Sequence, residues 1–549
     1  MDSCKRVVVA QWIVGLAVTS VSVAQNSPRI GYVCPAGGRA GDTFQVVVGG
    51  QYLDAAGRAF FSGHGVQAVT VGHVKPLTQK EFNALREQAG QLQERKAAAT
   101  KGAQGDASQF PPWTAEDERM LAEIRKTLAE RAPNRQANPT ISETVTLSIT
   151  LSPEAQPGVR EMRFMTAAGL SSPLAFHVGR LPEVVESEPK NEAAGMARTG
   201  VRTGRIVQTE MRVSLPAVLN GQILPGDVDR YRFAARKGQK LVVAACARQL
   251  IPYLADAVPG WFQAVLTLYD AQGREVAYAD DYRFSPDPVL LYEVPAEGEY
   301  VVEIRDSIYR GREDFVYRIT IGELPFVTSV FPLGGTAGQR VTVDLEGWNL
   351  PTGTRVKECE KRDGGGGIAD LMDHASSVVN SPCFAVDTLA ECLERESNDS
   401  PATAQKLVPG VIVNGRIQQS GDRDVFCFEG RAGSEIVAEV LARRLGSPLD
   451  SVLRLTDVAG RQLAFNDDRE DKGDGLATHH ADSLVHLVLP ADGMYYLHLG
   501  DAQNKGGSEY GYRLRVSPPR PDFELRIVPS SVNLRGGTTV PLTVYALRK

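Results

Sequence analysis

The chain of 549 residues has little of what most function classes require. It has no HExxH helix, no Gly-x-Ser-x-Gly elbow, no Walker loop and no Gly-x-Gly-x-x-Gly after a strand pattern. The common signatures of metalloproteases, α/β-hydrolases and nucleotide-binding enzymes are therefore missing. It has no excess of positive charge: 60 Lys and Arg stand against 66 Asp and Glu, a net charge of −6. That argues against nucleic-acid binding led by phosphate attraction. Past residue 24, no apolar run reaches the roughly 20 residues that a membrane-spanning helix needs. There is no Cys-x-x-Cys pair, and His479-His480 are adjacent, so they would project to opposite sides of a strand rather than onto one metal.

What is present begins at the N-terminus. Lys5 and Arg6 precede an apolar run from Val7 to Val23, closed by Ser22-Val23-Ala24. A basic start, a short apolar stretch and small residues read as a secretory signal peptide over 1–24. The mature chain is then expected to be exported: secreted, periplasmic or at the cell surface. Cys4 lies in the signal, leaving Cys34, Cys246, Cys359, Cys383, Cys392 and Cys427. An oxidising compartment permits disulfides among them. The local cluster of Cys359, Cys383 and Cys392 makes one bridge there plausible, with buried free thiols as the alternative.

Two pairs of internal repeats organise the rest. Pro35-Ala36-Gly37-Gly38 and the alternating run from Phe44 to Leu53 return, 297 residues later, as Pro332-Leu333-Gly334-Gly335 and Val341 to Leu350. Each unit is a Pro/Gly turn followed by a strand, the way a β-sandwich opens. The longer pair matches Gly226-Asp227-Val228-Asp229 with Gly421-Asp422-Arg423-Asp424 at an offset of 195. The offset drops to 187 at Asp280-Asp281 and Asp467-Asp468, and returns to 195 at Tyr317-Arg318 and Tyr512-Arg513. Strands inside these units alternate: Tyr495, Leu497 and Leu499 share one face, Tyr496 and His498 the other.

Residues 78–132 break the β pattern. Thr78 with Glu81 fits a capping box, and Thr114 begins a second helix. Phe82, Leu85 and Leu92 form one apolar stripe; Met120, Leu121, Ile124 and Leu128 form the other. This predicts an antiparallel helical hairpin inserted over 76–137. The fold class expected is mainly β: tandem immunoglobulin-like and jelly-roll β-sandwiches with an inserted helical hairpin.

The longer repeat resembles the bacterial pre-peptidase C-terminal domain. The residues that carry the likeness are Glu394-Arg395-Glu396-Ser397-Asn398-Asp399, Gly421-Asp422-Arg423-Asp424, Asn466-Asp467-Asp468 and Gly493-Met494-Tyr495. In the first copy they are Glu186-Ser187-Glu188-Pro189-Lys190-Asn191, Gly226 to Asp229 and Asp280-Asp281. The shorter repeat resembles an immunoglobulin-like domain of the IPT/TIG sort. The resemblance implies calcium ligands at Glu394, Glu396, Asn398, Asp399, Asp422 and Asp424. Such oxygens suit calcium, which takes six to eight of them. In the first copy Lys190 displaces Asn191 and adds positive charge, so no metal is expected there. The competing reading is that these acids close turns or line a solvated linker.

The domains expected are 25–182 (immunoglobulin-like, with the insertion), 183–323, a short unit over 324–392, 393–518, and an incomplete sandwich start over 519–549. The functional expectation is a non-catalytic secreted or cell-surface binding or scaffold protein, stabilised by calcium. Its partner would be an extracellular protein or polysaccharide. The alternative is an accessory region of a secreted peptidase or other hydrolase.

Overall fold

The computed structural model describes residues 28–102, 113–131, 141–186, 210–250, 261–350, 355–359, 367–371, 378–470, 479–520, 523–528, 532 and 537–548. The signal-peptide reading, 1–24, lies outside them. Within them the chain is mainly β, built as successive two-sheet sandwiches.

The first small sandwich packs a four-stranded sheet against a five-stranded one. One holds, in spatial order, Arg29–Cys34, Thr43–Gln51, Glu143–Leu151 and Val66–Val74. Its central strand shows why it forms: Val145, Leu147, Ile149 and Leu151 are buried while Thr144, Thr146, Ser148 and Thr150 turn outward. The facing sheet holds Gly37–Arg39, Leu174–Gly179, Gly158–Thr166 and Arg58–Phe61, with the short Gly169–Leu170 paired to Gly158–Thr166. Between Val66–Val74 and Glu143–Leu151 stand two helices, Gln79–Gly102 and Ala115–Glu130. Both start in capping boxes. Thr78 N donates to Glu81 while Glu81 N donates to Thr78 Oγ1, and Thr114 pairs with Asp117 in the same way. The hairpin closes over Ala89, Leu92, Leu121 and Ile124. Met120, read as part of the inner stripe, is instead 42% exposed. It sits at the margin of the seam, where Gln88 Nε2 lies 3.9 Å from its sulfur.

The two large sandwiches are built alike. Each has two five-stranded sheets in the same strand order. The first copy runs from Glu183–Val185 to Val316–Gly322 and the second from Ala390–Leu393 to Gly511–Ser517. Between them lies a smaller unit of two three-stranded sheets, built from Phe326–Phe331 to Cys383–Asp387. A final pair, Phe523–Val528 and Thr543–Arg548, forms an antiparallel hairpin.

In both pairs a buried arginine, held within its own large sandwich, lies under a glycine of the small sandwich before it. Arg318 reaches Glu183 Oε1 at 2.8 Å and Asn220 Oδ1 at 2.6 Å; Arg513 reaches Glu391 Oε1 at 2.8 Å and Asn414 Oδ1 at 2.9 Å. Gly37 lies over the first guanidinium and Gly334 over the second, where a Cβ would collide with both the arginine and a strand carbonyl. The cores merge at the same points. Leu250 joins the core of the first small sandwich, and Leu445 joins that of the second.

All six described cysteines are free thiols. The bridge considered among Cys359, Cys383 and Cys392 is not formed. Cys359 and Cys383 pack in the core of the small sandwich, and Cys392 belongs to a sheet of the next sandwich.

Candidate metal centre

Residues 394–404 carry the chain from one sheet of the second large sandwich to the other. Strand Ala390–Leu393 pairs in the first sheet, and Gln405–Lys406 pairs with Arg423–Gly430 in the second. This crossing lays the acidic lead-in against the start of Arg423–Gly430. The six residues read from the sequence converge here. Carboxylate oxygens of Glu394, Glu396 and Asp424 lie within 4.8 Å of one another, and so do those of Glu396, Asp399 and Asp422. Glu396 belongs to both groups.

The crossing is held from below. Val425 N donates to Asn398 O, Asn398 N to Glu396 Oε2 at 3.2 Å, and Asn398 Nδ2 to Glu394 Oε1 at 3.3 Å. Asp422 caps its own turn, accepting from Gln418 N and Arg423 N. The turn-closing reading is thus realised at Asp422. It does not extend to Asn398 or Asp424. Both are fully buried, and Asn398 Oδ1 and Asp424 Oδ1 each lack a hydrogen-bond partner. Buried oxygens are normally satisfied, and leaving one bare costs about 1–3 kcal/mol.

Sequence reasoning missed Tyr512. Its hydroxyl lies 2.8 Å from Glu394 Oε1 and 2.6 Å from Asp424 Oδ2. It has one proton to give and two carboxylates to serve. Burial, and then Glu394 beside it, push the Asp424 carboxyl far above the usual range. Glu396 is also raised, first by burial and then by Glu394, Asp422 and Asp399. The signal for Tyr512 was the pair Tyr317-Arg318 and Tyr512-Arg513, kept in both copies. Gly415 leaves the room: a Cβ there would meet the Tyr512 hydroxyl and Glu394.

The first copy repeats the frame with one change. Tyr317 OH lies 2.7 Å from Asp229 Oδ2 and 3.1 Å from Glu186 Oε2. Where the second copy has Phe426, the first has Tyr231, whose hydroxyl is 2.7 Å from that of Tyr317. The rest of its lead-in, including Glu188, Lys190 and Asn191, lies outside the described residues.

No protein-family model matches the chain. A segment of 105 residues is 39% identical to a "Probable subtilase-type serine protease" of Deinococcus radiodurans. The match takes in 19% of this chain and spans only 13% of that protein. Among solved structures, the chain is similar to the pre-peptidase C-terminal domain of a collagenase from Bacillus anthracis. The identity is 18%, covering 22% of this chain and all of that domain, with a TM-score of 0.17. The secreted serine protease VesC from Vibrio cholerae aligns at 9% identity over 54% of this chain and 50% of its own, with a TM-score of 0.14.

The donor set is chemically uniform: five carboxylates and one amide, all oxygen. Oxygen donors of this kind fit a hard cation such as calcium better than zinc or copper, which favour nitrogen and sulfur. No helix among the described residues is long and apolar enough to cross a membrane.

Proposed function

We propose that the chain is a calcium-stabilised, non-catalytic β-region that serves a secreted peptidase as an accessory. The observation that carries this reading is the 39% identity over 105 residues to a small part of a subtilase-type protease. The sandwiches act as exported modules that hold an extracellular protein or polysaccharide. Weak surfaces gain avidity from being joined on one chain. Calcium sits on Glu394, Glu396, Asn398, Asp399, Asp422 and Asp424, taking up the bare oxygens of Asn398 and Asp424 and replacing the proton that Asp424 otherwise keeps.

Two measurements test this reading. Casein hydrolysis by the chain alone should stay at the buffer rate; turnover lost on serine-directed inhibition would overturn the non-catalytic assignment. Thermal melts in calcium and in chelator test the metal. Calcium at 100 times its dissociation constant should add about 2.7 kcal/mol to native stability. Asp424→Asn should lose that increment. An unchanged calcium shift in this variant removes the metal from this site.

A further inference from the structure

The two copies of the large sandwich differ where their sequence offset changes, and the difference matches a contact between them. The three-residue turns Arg248–Leu250 and Arg443–Leu445 are equivalent. Asp287 caps the first through the backbone N–H groups of Ala247, Arg248 and Gln249. Asp482 caps the second through those of Ala442, Arg443 and Arg444. The next strands, Ala264–Tyr269 and Ser451–Asp457, are also equivalent. From Leu250 to Ala264 the first copy spends 13 intervening residues, and from Leu445 to Ser451 the second spends 5. The second copy is eight shorter (13 − 5), the same step by which the offset falls from 195 to 187.

In the first copy, Trp261 lies against Arg248, with the guanidinium 5.9 Å from the ring centre. The second copy has no such tryptophan. Its Arg443 stacks instead on Phe284, 3.5 Å from the ring centre, and Phe284 belongs to the first large sandwich. The residue beside it, Arg283, is held in the left-handed region at φ 60°. It donates to Gly446 O at 2.5 Å and to Glu509 Oε2 at 2.7 Å in the second large sandwich, and also to Thr328 O in the small one. Tyr282 packs edge-on against Phe326, 5.4 Å between ring centres. These contacts rim a cavity of about 340 Å³ where three sandwiches meet.

We propose that the segment Tyr282–Ser285 is a clasp, and that the shortened connection after Leu445 is its receptor. Where the first copy sets its own Trp261 against Arg248, the second receives Phe284 of the neighbouring sandwich against Arg443. Arg283 and Phe284 therefore fix the angle between the two halves of the chain, which behaves as one rigid spacer rather than as jointed beads. An ion pair on a surface would be weak evidence, because such pairs are worth about 0–1 kcal/mol. Here Arg283 is only 17% exposed and serves three acceptors in two sandwiches.

The experiment uses the full chain with one spin label on each large sandwich, at Gln272 and Gln462, read by double electron–electron resonance. The parent should give one narrow distance distribution. Arg283→Ala with Phe284→Ala should broaden it and raise the maximum dimension seen by X-ray scattering. Glu509→Ala, placed on the receptor side, should broaden it in the same direction. A broad distribution in the parent overturns the proposal. So does an unchanged distribution in either variant whose melting shows that it folds.

Discussion

Arg513→Ala should destabilise the second half of the chain by about 3–5 kcal/mol, the usual cost of removing one partner of a buried ion pair. The Arg513 side chain is 1% exposed and its partner Glu391 14% exposed. Without the guanidinium, Glu391 and Asn414 Oδ1 keep no replacement for the bonds of 2.8 and 2.9 Å they now accept. The effect should also be polar in kind rather than steric. Arg513→Met with Glu391→Gln removes both charges while keeping most of the volume, so it should recover most of the loss. Urea unfolding followed by tryptophan fluorescence measures it. A loss below 1 kcal/mol in Arg513→Ala would show that the buried pair with Glu391 does not hold the second large sandwich together.

The same residue shows how much could be read from the sequence. The doublet Tyr512-Arg513 stood out as a match to Tyr317-Arg318, but a match says only that both positions are retained in the fold. Arg513 meets Glu391 across 122 residues and Tyr512 meets Glu394 across 118, and no periodicity connects such positions. The six site residues were named through the resemblance, and all six fall in two short runs, 394–399 and 422–424, that the extended lead-in brings together. What made the site more than an acidic patch was not legible. Whether Asn398 and Asp424 keep bare oxygens depends on burial that the crossing from sheet to sheet creates. Strands were legible by alternation, as Tyr495, Leu497 and Leu499 show. Met120 failed because a helix stripe is wider than a two-helix seam, and its outer edge stays wet. The dip in offset from 195 to 187 was legible as a number, while its meaning lay in a contact between copies that only the assembled chain presents.

A large pH effect should come from His177, and it should weaken the chain in acid. His177 stands on the strand Leu174–Gly179 of the first small sandwich, with Cys246 Sγ of the large one 4.0 Å from Nε2. Burial first, and then the Arg318 guanidinium, lower it from 6.5 to about 3. The folded chain therefore keeps this imidazole neutral at pH values where the unfolded chain has already protonated it. Below pH 6.5 the unfolded state binds the extra proton, so stability falls with pH until the folded group titrates near 3. At pH 4 the loss is about 3 kcal/mol, from 2.5 pH units at 1.36 kcal/mol each. Asp229 acts in the opposite sense. Burial raises its carboxyl, so the folded state holds that proton longer and stability declines as pH rises above the unfolded carboxylate range. The measured profile sums both, which makes the difference between variants the useful quantity. His177→Asn should be less stable than the parent at pH 7.5 and should lose less on going to pH 4, flattening the acid limb by about 3 kcal/mol in urea titrations at the two values. Parallel acid limbs in parent and variant would mean that His177 charges without cost in the folded chain, and that the joint over Arg318 admits water.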